Sequence, residues 1–412
     1  MSSRDKAALQ PRLRFPEFRA ADGWYSTPLG ELGEIVTGKT PSTTEVALWG
    51  GEILFITPTD IAESEKYQHT TQRTVVKTTR IKLLPLGSVV YTCIASIGKM
   101  ALTVAPSVTN QQINAVVSND RTAKEFIYYS LANLTPWIKS IPATSTLPII
   151  NKTQFSGFII PHPENKAEQQ KIANCLSSLD ELIAAQARKV DALKIYKKGL
   201  MQQLFPREGE TQPRLRFPEF RNSEGWGEST VGNLCKSFSG GTPSTSEKAF
   251  YDGNIPFIRS AEIARNRTEL FLTHEGLKKS SAKLVAKGDV LVALYGANSG
   301  DVAIAKIDGA INQAILCLKS EQSNAFIFQL LKFKEDWITT TYLQGGQGNL
   351  SGEIVKSILV PLPNEAEQKS IANCLTSLDN FITVATQELD TLKTHKKGLM
   401  QQLFLSAQAL EA

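Results

Sequence analysis

The chain has 412 residues, 21% of them charged, and a formal net charge of +5 at pH 7. It can therefore bury two to four domain cores, and a nucleic-acid partner is permitted but not required. Five cysteines without a CxxC pair, no secretory signal and no apolar run of about 18 residues favour a cytoplasmic protein without disulfides or a membrane span.

The sequence contains an internal repeat whose copies have nearly identical ends. PRLRFPEFR at residues 11–19 returns at 213–221, and KKGLMQQLF at 197–205 returns at 396–404. The regions between these ends differ, although their hydrophobic skeletons align. Two copies that keep their ends and vary their middles predict one framework that carries two different recognition domains.

Each middle region predicts mixed α/β structure with short strands. In the first copy, residues 53–61 and 84–102 predict strands, Asn110-Gln111 lies in a strand-like setting, and a helix follows that ends near Trp137. The second copy predicts the same elements at 255–263, 284–304, Asn312-Gln313 and Trp337.

Residues 33–40 match the G-x-x-x-x-G-K-[ST] pattern of a nucleotide-binding P-loop, so a nucleotide hydrolase that uses Lys39 is one alternative. We reject it, because Pro41 disfavours helical geometry at Thr40, where a P-loop helix would begin. The second copy, Gly240-Gly241-Thr242-Pro243, also lacks the lysine. Both copies share Gly-x-Thr-Pro-Ser-Thr, which predicts either a phosphate-contacting turn or a purely structural one. The four histidines are scattered and predict surface or packing roles.

A long helix is predicted at the end of each copy, the first at about residues 167–205. Apolar residues step by four and three in both helices, which favours a coiled coil over one stripe of an ordinary bundle helix. The predicted seam contains Ile172, Leu176, Leu179, Ile183, Val190, Leu193, Leu200 and Leu204, with Gln186 and Lys197 at the two remaining places, and in the second copy Ile371, Leu375, Leu378, Ile382, Ala385, Leu389, Leu392, Lys396, Leu399 and Leu403. Related halves would pair antiparallel. Each helix of about 39 residues would be about 58 Å long, the rise of some 17 base pairs and an upper limit for the span of two staggered helices.

The KKGLMQQLF motif is identical in the two copies, including positions that do not belong to the helical seam. We therefore predict a partner-binding surface in each copy, with recent duplication as the alternative. Gly199 and Gly398 support it, because a glycine within a helix costs about 1 kcal/mol relative to alanine. The predicted partner-binding residues are Lys198, Met201, Gln202 and Phe205, and in the second copy Lys397, Met400, Gln401 and Phe404.

Taken together, the PRLRFPEF openings, the AEQ-x-x-IANCL helix starts, the KKGLMQQLF helix ends and the two Gly-x-Thr-Pro-Ser middles resemble the specificity subunit of a type I restriction-modification enzyme. A Leu-x-Pro-x-Pro ending, varied at Ile160-Pro161-His162-Pro163, adds to the resemblance. The resemblance implies a non-catalytic subunit for defence against foreign DNA. Its partners would be double-stranded DNA, two methylase subunits and motor-nuclease (restriction) subunits. S-adenosylmethionine, ATP and Mg would be used by those partners, with no cofactor in this chain. A coiled-coil scaffold that binds only proteins remains the second alternative.

The expected fold class is α/β, with an internal pseudo-two-fold repeat. Two mixed α/β target recognition domains would be separated by two long helices that form an antiparallel coiled coil. The predicted boundaries are residues 1–163 for the first recognition domain and its N-terminal segment, 164–206 for the first helix, 207–363 for the linker and second recognition domain, and 364–412 for the second helix and tail. Because the two middles differ, the predicted target is non-palindromic.

Features shared by the two middles should serve folding or phosphates, and divergent features should contact bases, with a solvated loop as the alternative for each residue. The candidate DNA contacts of the first copy are Lys39, Thr40, Ser42, Arg73, Lys77, Lys99, Thr144, Ser145, Asn151 and Lys152. Those of the second copy are Thr242, Ser244, Arg259, Arg265, Asn266, Arg267, Asn298, Gln344, Gln347 and Asn349.

Overall fold

The structure is a computed structural model that describes residues 9–63, 65–77, 81–141, 148–342 and 350–405. It divides into two compact units. The first unit is Met1–Gln186 with Glu388–Ala412, and the second is Ala187–Gln387. Each unit thus combines one α/β domain with a segment of both long helices. The boundaries predicted from the sequence lie at the helix ends, whereas the two units divide each helix near its middle.

The first unit contains the first α/β domain, defined here as residues 25–162. Its strands are β1 (Tyr25–Pro28), β2 (Gly33–Thr37), β3 (Trp49–Ile56), β4 (Tyr67–Gln68), β5 (Arg73–Val75), β6 (Val89–Thr92), β7 (Met100–Thr103), β8 (Ser107–Thr109), β9 (Ile113–Ser118) and β10 (Ile159–His162). Its helices are α1 (Leu29–Leu32), α2 (Lys124–Ser140) and α3 (Lys152–Ser156), and α4 (Lys166–Leu204) follows. Val46–Leu48 forms a single 3-10 turn.

Two sheets form the core of the first α/β domain, with strand orders β2-β9-β6-β7-β4 and β5-β3-β8. The β3–β8 and β4–β7 pairs are parallel, and the other pairs are antiparallel. All of β6 is buried, as its continuous apolar run Val-Val-Tyr predicts for a central strand. Helix α2 buries Phe126, Ile127 and Leu131, whose spacing places one apolar face toward the core.

The second α/β domain, defined here as residues 227–362, belongs to the second unit. Its strands are β11 (Gly227–Thr230), β12 (Cys235–Ser239), β13 (Tyr251–Ile258), β14 (Leu270–Leu272), β15 (Lys283–Val285), β16 (Val290–Ala293), β17 (Val302–Ile304), β18 (Gly309–Ile311), β19 (Ile315–Ser320) and β20 (Leu359–Leu362). Its helices are α5 (Val231–Leu234), α6 (His274–Lys278), α7 (Asn324–Tyr342) and α8 (Gly352–Ser357), and α9 (Glu365–Leu403) follows.

The sheets of the second α/β domain repeat those of the first with local changes. Their orders are β12-β19-β16-β17 and β14-β13-β18-β15, and the β13–β18 pair is parallel like β3–β8. The first domain has the additional strand β4 beside β7, whereas the second has α6 after β14. The predicted mixed α/β class is confirmed, and the divergence concentrates after β3 and β13.

One antiparallel strand pair closes each α/β domain where the chain enters and leaves it. Strand β1 pairs with β10 from Tyr25↔His162 to Pro28↔Ile159. Strand β11 pairs with β20 in the same register, from Gly227↔Leu362 to Thr230↔Leu359. Because the first and last residues of each domain lie side by side, each domain is inserted as a closed module.

Helices α4 and α9 have 39 residues each and run antiparallel within each unit. In the first unit Lys396 pairs with Asp180, and Gln186 Nε2 donates to Glu388 at 2.8 Å. In the second unit Lys197 Nζ donates to Asp379 at 2.7 Å. The predicted seam residues are buried or half-buried throughout, so the predicted antiparallel coiled coil is confirmed.

A buried arginine fastens the opening segment of each copy to a long helix. Arg14 makes a bidentate pair with Glu168, at 2.7 Å through Nε and 2.8 Å through an amino group. Arg216 pairs with Glu367 in the same way, at 2.8 and 2.7 Å. In both pairs the side chains are only 7% and 1% exposed. Each guanidinium also donates to two backbone carbonyls, so four of its five N–H groups have a partner.

The end of one long helix completes the core beneath each opening segment. In the first unit Leu403 and Phe404 pack with Trp24 and Phe126, and Leu13 N donates to Gln402 O at 2.9 Å. The second unit repeats this arrangement with Leu204, Phe205, Trp226 and Phe326, and Leu215 N donates to Gln203 O at 2.9 Å. The opening motif of each copy therefore packs on the closing motif of the other copy.

We expect Arg216→Ala to destabilise the second unit by about 3–5 kcal/mol, because it leaves the Glu367 carboxylate buried without a partner. Hydrogen exchange resolved by peptide should show the loss in the second unit, and Arg14→Ala should place it in the first. Lys236→Ala, which breaks the exposed Lys236–Glu321 pair, is the control and should change little. Equal protection in Arg216→Ala and the control would contradict the assignment.

Candidate nucleic-acid interface

A threonine and a glutamine join two loops at the same exposed place in both α/β domains. Thr40 Oγ1 donates to Gln111 Oε1 at 2.7 Å, and Thr242 Oγ1 donates to Gln313 Oε1 at 2.7 Å. The threonine lies in the Gly-x-Thr-Pro-Ser loop after β2 or β12, and the glutamine lies between β8 and β9 or between β18 and β19. Each glutamine thus keeps its amide N–H₂ group at the surface in a fixed orientation, suited to an oxygen acceptor such as phosphate.

The predicted strand-like setting of the Asn-Gln pairs is wrong, because both pairs form turns. Asn110 Oδ1 accepts from Gln112 N at 3.1 Å, and Asn312 Oδ1 accepts from Ala314 N at 3.1 Å. Such a bond closes an Asx turn, which ends strand pairing. A side chain at Gly38 or Gly240 would collide with the backbone carbonyl of Asn110 or Ile311. Glycine is therefore required where the Gly-x-Thr-Pro-Ser loop approaches the turn.

The shared Gly-x-Thr-Pro-Ser loop does not have P-loop geometry. Over residues 38–48, which the structure describes throughout, the only helical element is the 3-10 turn of Val46–Leu48, well after Lys39. Ser42 bonds Thr44 at 2.8 Å, and Ser244 bonds Ser246 at 2.7 Å. These exposed hydroxyls and Lys39, which has no counterpart in the second copy, stay candidate phosphate contacts.

The divergent candidates of the first α/β domain have different surroundings. Arg73 is exposed, and its guanidinium lies 3.4 Å from the centre of the Trp49 ring, which orients it. Lys77 and Lys152 are exposed, and Lys99 is half-buried. Asn151 has an internal role instead, because its Oδ1 accepts from Gln154 N at 2.9 Å and caps α3.

In the second α/β domain the DNA-contact candidate Arg259 has internal partners. Its guanidinium donates to Glu262 at 3.0 and 3.1 Å and to Glu269 at 2.6 Å, and these bonds raise the pKa of Arg259. Asn298 is also engaged internally, with its amide donating to Asp301 at 2.8 Å.

Three neighbouring candidates of the second domain remain available. Arg265, Asn266 and Arg267 are all exposed on the loop between a 3-10 turn at Ser260–Glu262 and β14. Arginine suits guanine, and asparagine suits adenine in the major groove. The candidates Thr144, Ser145, Gln344, Gln347 and Asn349 lie outside the described residues.

Part of the predicted partner-binding surface is buried inside the units. Met201, Phe205 and Phe404 are 7%, 1% and 5% exposed, so they cannot form an open partner surface as predicted. The heptad analysis missed this role because the helix ends make a second apolar contact, away from the seam. Met400 is half-buried, and Lys198, Gln202, Lys397 and Gln401 are exposed and stay candidates.

Sequence reasoning missed the glutamine of each Thr–Gln pair. It also missed the carboxylates of Asp60 and Glu262, which accept hydrogen bonds from both ends of a loop. The repeated Asn-Gln dipeptide was a usable signal for the first pair. Within the described ranges, no cluster of three or more His, Cys, Asp or Glu side chains could hold a metal ion. Among these residues, no helix is long and apolar enough to cross a membrane.

The family model for the type I restriction modification DNA specificity domain matches the chain twice, over residues 21–194 and 223–394. The specificity subunit of the type I restriction enzyme MjaIX from Methanocaldococcus jannaschii is 26% identical over 338 residues, or 75% of this chain and 76% of that protein. The specificity subunit of MjaVIII from the same organism is 24% identical over 410 residues, or 93% of each chain.

Two solved structures share the fold. The crystal structure of a type I restriction-modification S subunit from M. genitalium matches 97% of this chain and 100% of that chain, with a TM-score of 0.66 and 18% identity. A chain from a structure on complex assembly and conformational transition of the type I R-M system matches 93% of this chain and 97% of that chain, with a TM-score of 0.56 and 16% identity. At these identities the likeness concerns the fold alone.

We expect Arg265→Ala or Arg267→Ala to relax the preference at one base pair by about 1–3 kcal/mol, because a base-reading side chain discriminates by that amount. Thr242→Val should weaken binding to all sequences alike, as loss of a phosphate contact does. Competition binding with single-base target variants measures both effects. A uniform loss or no change in the arginine variants, together with a changed base preference in Thr242→Val, would reverse our division between shared and divergent residues.

Proposed function

Because this chain belongs to the family of type I restriction-modification DNA specificity domains, we propose that it reads a bipartite, non-palindromic DNA target and scaffolds two methylase subunits. Motor-nuclease subunits would join the same complex. S-adenosylmethionine, ATP and Mg would be used by those partners, and this chain would contribute recognition and assembly without catalysis.

One observation carries the proposal: the two α/β domains share their polar turn and differ in the loops beside it. The Thr40–Gln111 and Thr242–Gln313 bonds have the same length and are exposed in both domains. The loop after β3 contains β4, whereas the region after β13 contains Arg265, Arg267 and the helix α6. Common phosphate contacts with different base contacts suit two unlike half-sites.

The two alternatives are less well supported. A nucleotide hydrolase would need a phosphate-binding helix after Lys39, where the chain has an exposed loop that is anchored by a hydrogen bond from Trp49 Nε1 to Ser42 O. A scaffold that binds only proteins gives no reason for two exposed polar turns of equal geometry beside divergent arginine-containing loops.

Methylation mapping tests the proposal in cells that carry this chain with its methylase and restriction subunits. We expect methylated adenines within one two-part, non-palindromic sequence, and loss of that pattern when the chain is deleted. Sequence-independent methylation, or an unchanged pattern after deletion, would contradict the proposed function.

The long helices offer a specific place for the methylase in each unit. In the second unit, Tyr196, Phe381 and Val384 are 60%, 63% and 53% exposed. Tyr196 directly precedes the seam position Lys197, and Phe381 directly precedes Ile382, which has the same heptad position. In an antiparallel pair of helices, residues before this position lie on the same side of the seam. The second α/β domain packs against the other side, where its Gln329 donates to Asp379 at 2.7 Å.

Gly199 lies on the same side as Tyr196. A Cβ atom at Gly199 would meet nothing within 4 Å. The structure therefore provides no internal contact that offsets the cost of this helical glycine. The equivalent positions of the first unit are Leu182, Ala185, His395 and Gly398, and Gly398 is equally open. We call Tyr196, Gly199, Phe381 and Val384 the docking face of the second unit. The four equivalent residues form the docking face of the first unit. A helix of the methylase would pack its apolar side there, close to the glycine.

We expect Gly199→Leu to leave the chain folded, since a Cβ at this position meets no neighbour and leucine favours the helix. It should block one methylase, so native mass spectrometry should detect one bound subunit instead of two. Gly398→Leu should do the same for the first unit, and the double variant should bind none.

The matched control is Lys194→Leu, which lies on the opposite side of α4 because it directly follows the seam residue Leu193. This variant should retain both methylases. Wild-type affinity for two methylases in the double glycine variant would exclude the docking faces.

A further inference from the structure

A buried carboxylate holds both ends of a short loop in the second α/β domain. The Glu262 side chain is 1% exposed. Its Oε2 accepts from Arg259 N at 3.2 Å, from Arg259 Nε at 3.0 Å and from Thr268 Oγ1 at 3.1 Å. Its Oε1 accepts from Glu269 N at 3.2 Å and from an amino group of Arg259 at 3.1 Å. One carboxylate thus joins the residues that precede and follow loop 263–268.

The Glu262 carboxylate remains ionised in this environment. Burial alone would raise its pKa, but the hydrogen bonds from Arg259, from the two backbone amides and from Thr268 outweigh burial and lower the pKa to about 2. A charged acceptor that receives several donors forms stronger bonds than a neutral one. The ends of loop 263–268 are therefore firmly fixed at neutral pH.

Asp60 occupies the equivalent position in the first α/β domain and makes the same kind of connection. Its Oδ2 accepts from Thr57 N at 2.8 Å and its Oδ1 from Gln72 N at 2.8 Å. The Asp60 backbone carbonyl also accepts from Gln68 Nε2 at 3.1 Å. One carboxylate thereby joins the two ends of loop 61–71, of which residue 64 lies outside the described residues, as Glu262 does for loop 263–268.

The two loops have different lengths although their connections are alike. There are 11 residues between Asp60 and Gln72 (72 − 60 − 1) and 6 between Glu262 and Glu269 (269 − 262 − 1). Each loop begins with a buried isoleucine, Ile61 or Ile263, which is 1% or 4% exposed. The longer loop is also held in its middle, because Tyr67–Gln68 pairs with β7 and Lys66 Nζ donates to Ser177 Oγ at 2.6 Å. What the two loops share is the carboxylate that joins their ends, and this connection is kept at both lengths.

We propose that Asp60 and Glu262 are positioning residues that hold a base-reading loop in each α/β domain, loop 61–71 for one half-site and loop 263–268 for the other. This inference rests on the proposed function. Arg265, Asn266 and Arg267 form the exposed tip of the second loop. Arg259 serves the connection itself, because its guanidinium is bonded to Glu262 and Glu269.

Fixing the loop before DNA binds has a direct effect on discrimination. A mobile loop would lose conformational entropy on binding, and its arginines could adapt to an incorrect base. A loop held at both ends presents its side chains in one geometry, and bidentate recognition of a base requires that geometry. The carboxylate therefore acts on sequence preference without touching DNA.

The test uses the complete complex with its methylases and a library of DNA targets in which each position of both half-sites is varied. We expect Glu262→Gln to lower discrimination at the half-site of the second domain by about tenfold, near the lower limit for one bidentate side-chain–base pair. The other half-site should be unaffected. Asp60→Asn should give the reciprocal result.

Thr268→Val nearly preserves shape and removes a hydroxyl that is shared between Phe257 O at 2.7 Å and Glu262 Oε2 at 3.1 Å. It should shift the same half-site in the same direction by a smaller factor. It provides the test if Glu262→Gln does not fold. Glu275→Gln is the control, because that side chain is 54% exposed and pairs with Lys279 instead of with Arg259.

A uniform loss of affinity for all sequences, equal relaxation of both half-sites, or unchanged discrimination in Glu262→Gln and Thr268→Val would overturn the inference. Failure of the proposed function has a different signature, since the wild-type complex would then show no sequence preference. A third result would also overturn it. If Arg265→Ala and Arg267→Ala change the base preference at the second half-site while Glu262→Gln and Thr268→Val do not, the loop reads DNA without needing the carboxylate.

Discussion

In each unit a buried arginine–glutamate pair connects the opening segment of one copy to the start of a long helix. Arg14–Glu168 and Arg216–Glu367 have the same bidentate geometry and the same burial. Removing one partner would leave a buried charge unpaired, so substitutions at either position are severely restricted. The position of each α/β domain on its helices depends on this pair, because β1 and β11 follow the opening segments directly.

The same arrangement explains why the ends of the two copies are nearly identical. The opening segment of the first copy packs on the end of α9, and that of the second copy packs on the end of α4. Each motif must therefore fit a surface supplied by the other copy, and a change in one motif disturbs a contact between copies. Part of the identity that suggested an external partner is thus required for folding, while the open glycines Gly199 and Gly398 are not explained by folding.

The two copies differ most in segments whose two ends are held together. The strand pairs β1–β10 and β11–β20 isolate each α/β domain, and the carboxylates of Asp60 and Glu262 isolate a loop within it. The two loops differ in length and charge, and the longer one adds the edge strand β4 to its sheet. Such an organisation allows the loops to diverge while the contacts between the two copies are preserved.

The repeat, the long helices and their seam could be predicted from the sequence, because a period of three and four over many turns has few other interpretations. Local polar contacts could not. Asn110 was predicted in a strand-like setting, but its side chain closes a turn, and Asn151 resembled a base contact although it caps a helix. Arg259 looked free because its partner Glu262 is a single carboxylate after a strand, which carries no periodic signal.

If each α/β domain reads one half-site independently, replacing one domain by the other should change the DNA target in a defined way. Residues 227–362 would be exchanged for a second copy of residues 25–162, joined at the equivalent strand pairs, with both long helices and both arginine–glutamate pairs intact. Methylation mapping of the resulting complex should then show a target made of inverted copies of the first half-site. Retention of the original asymmetric target would contradict the account.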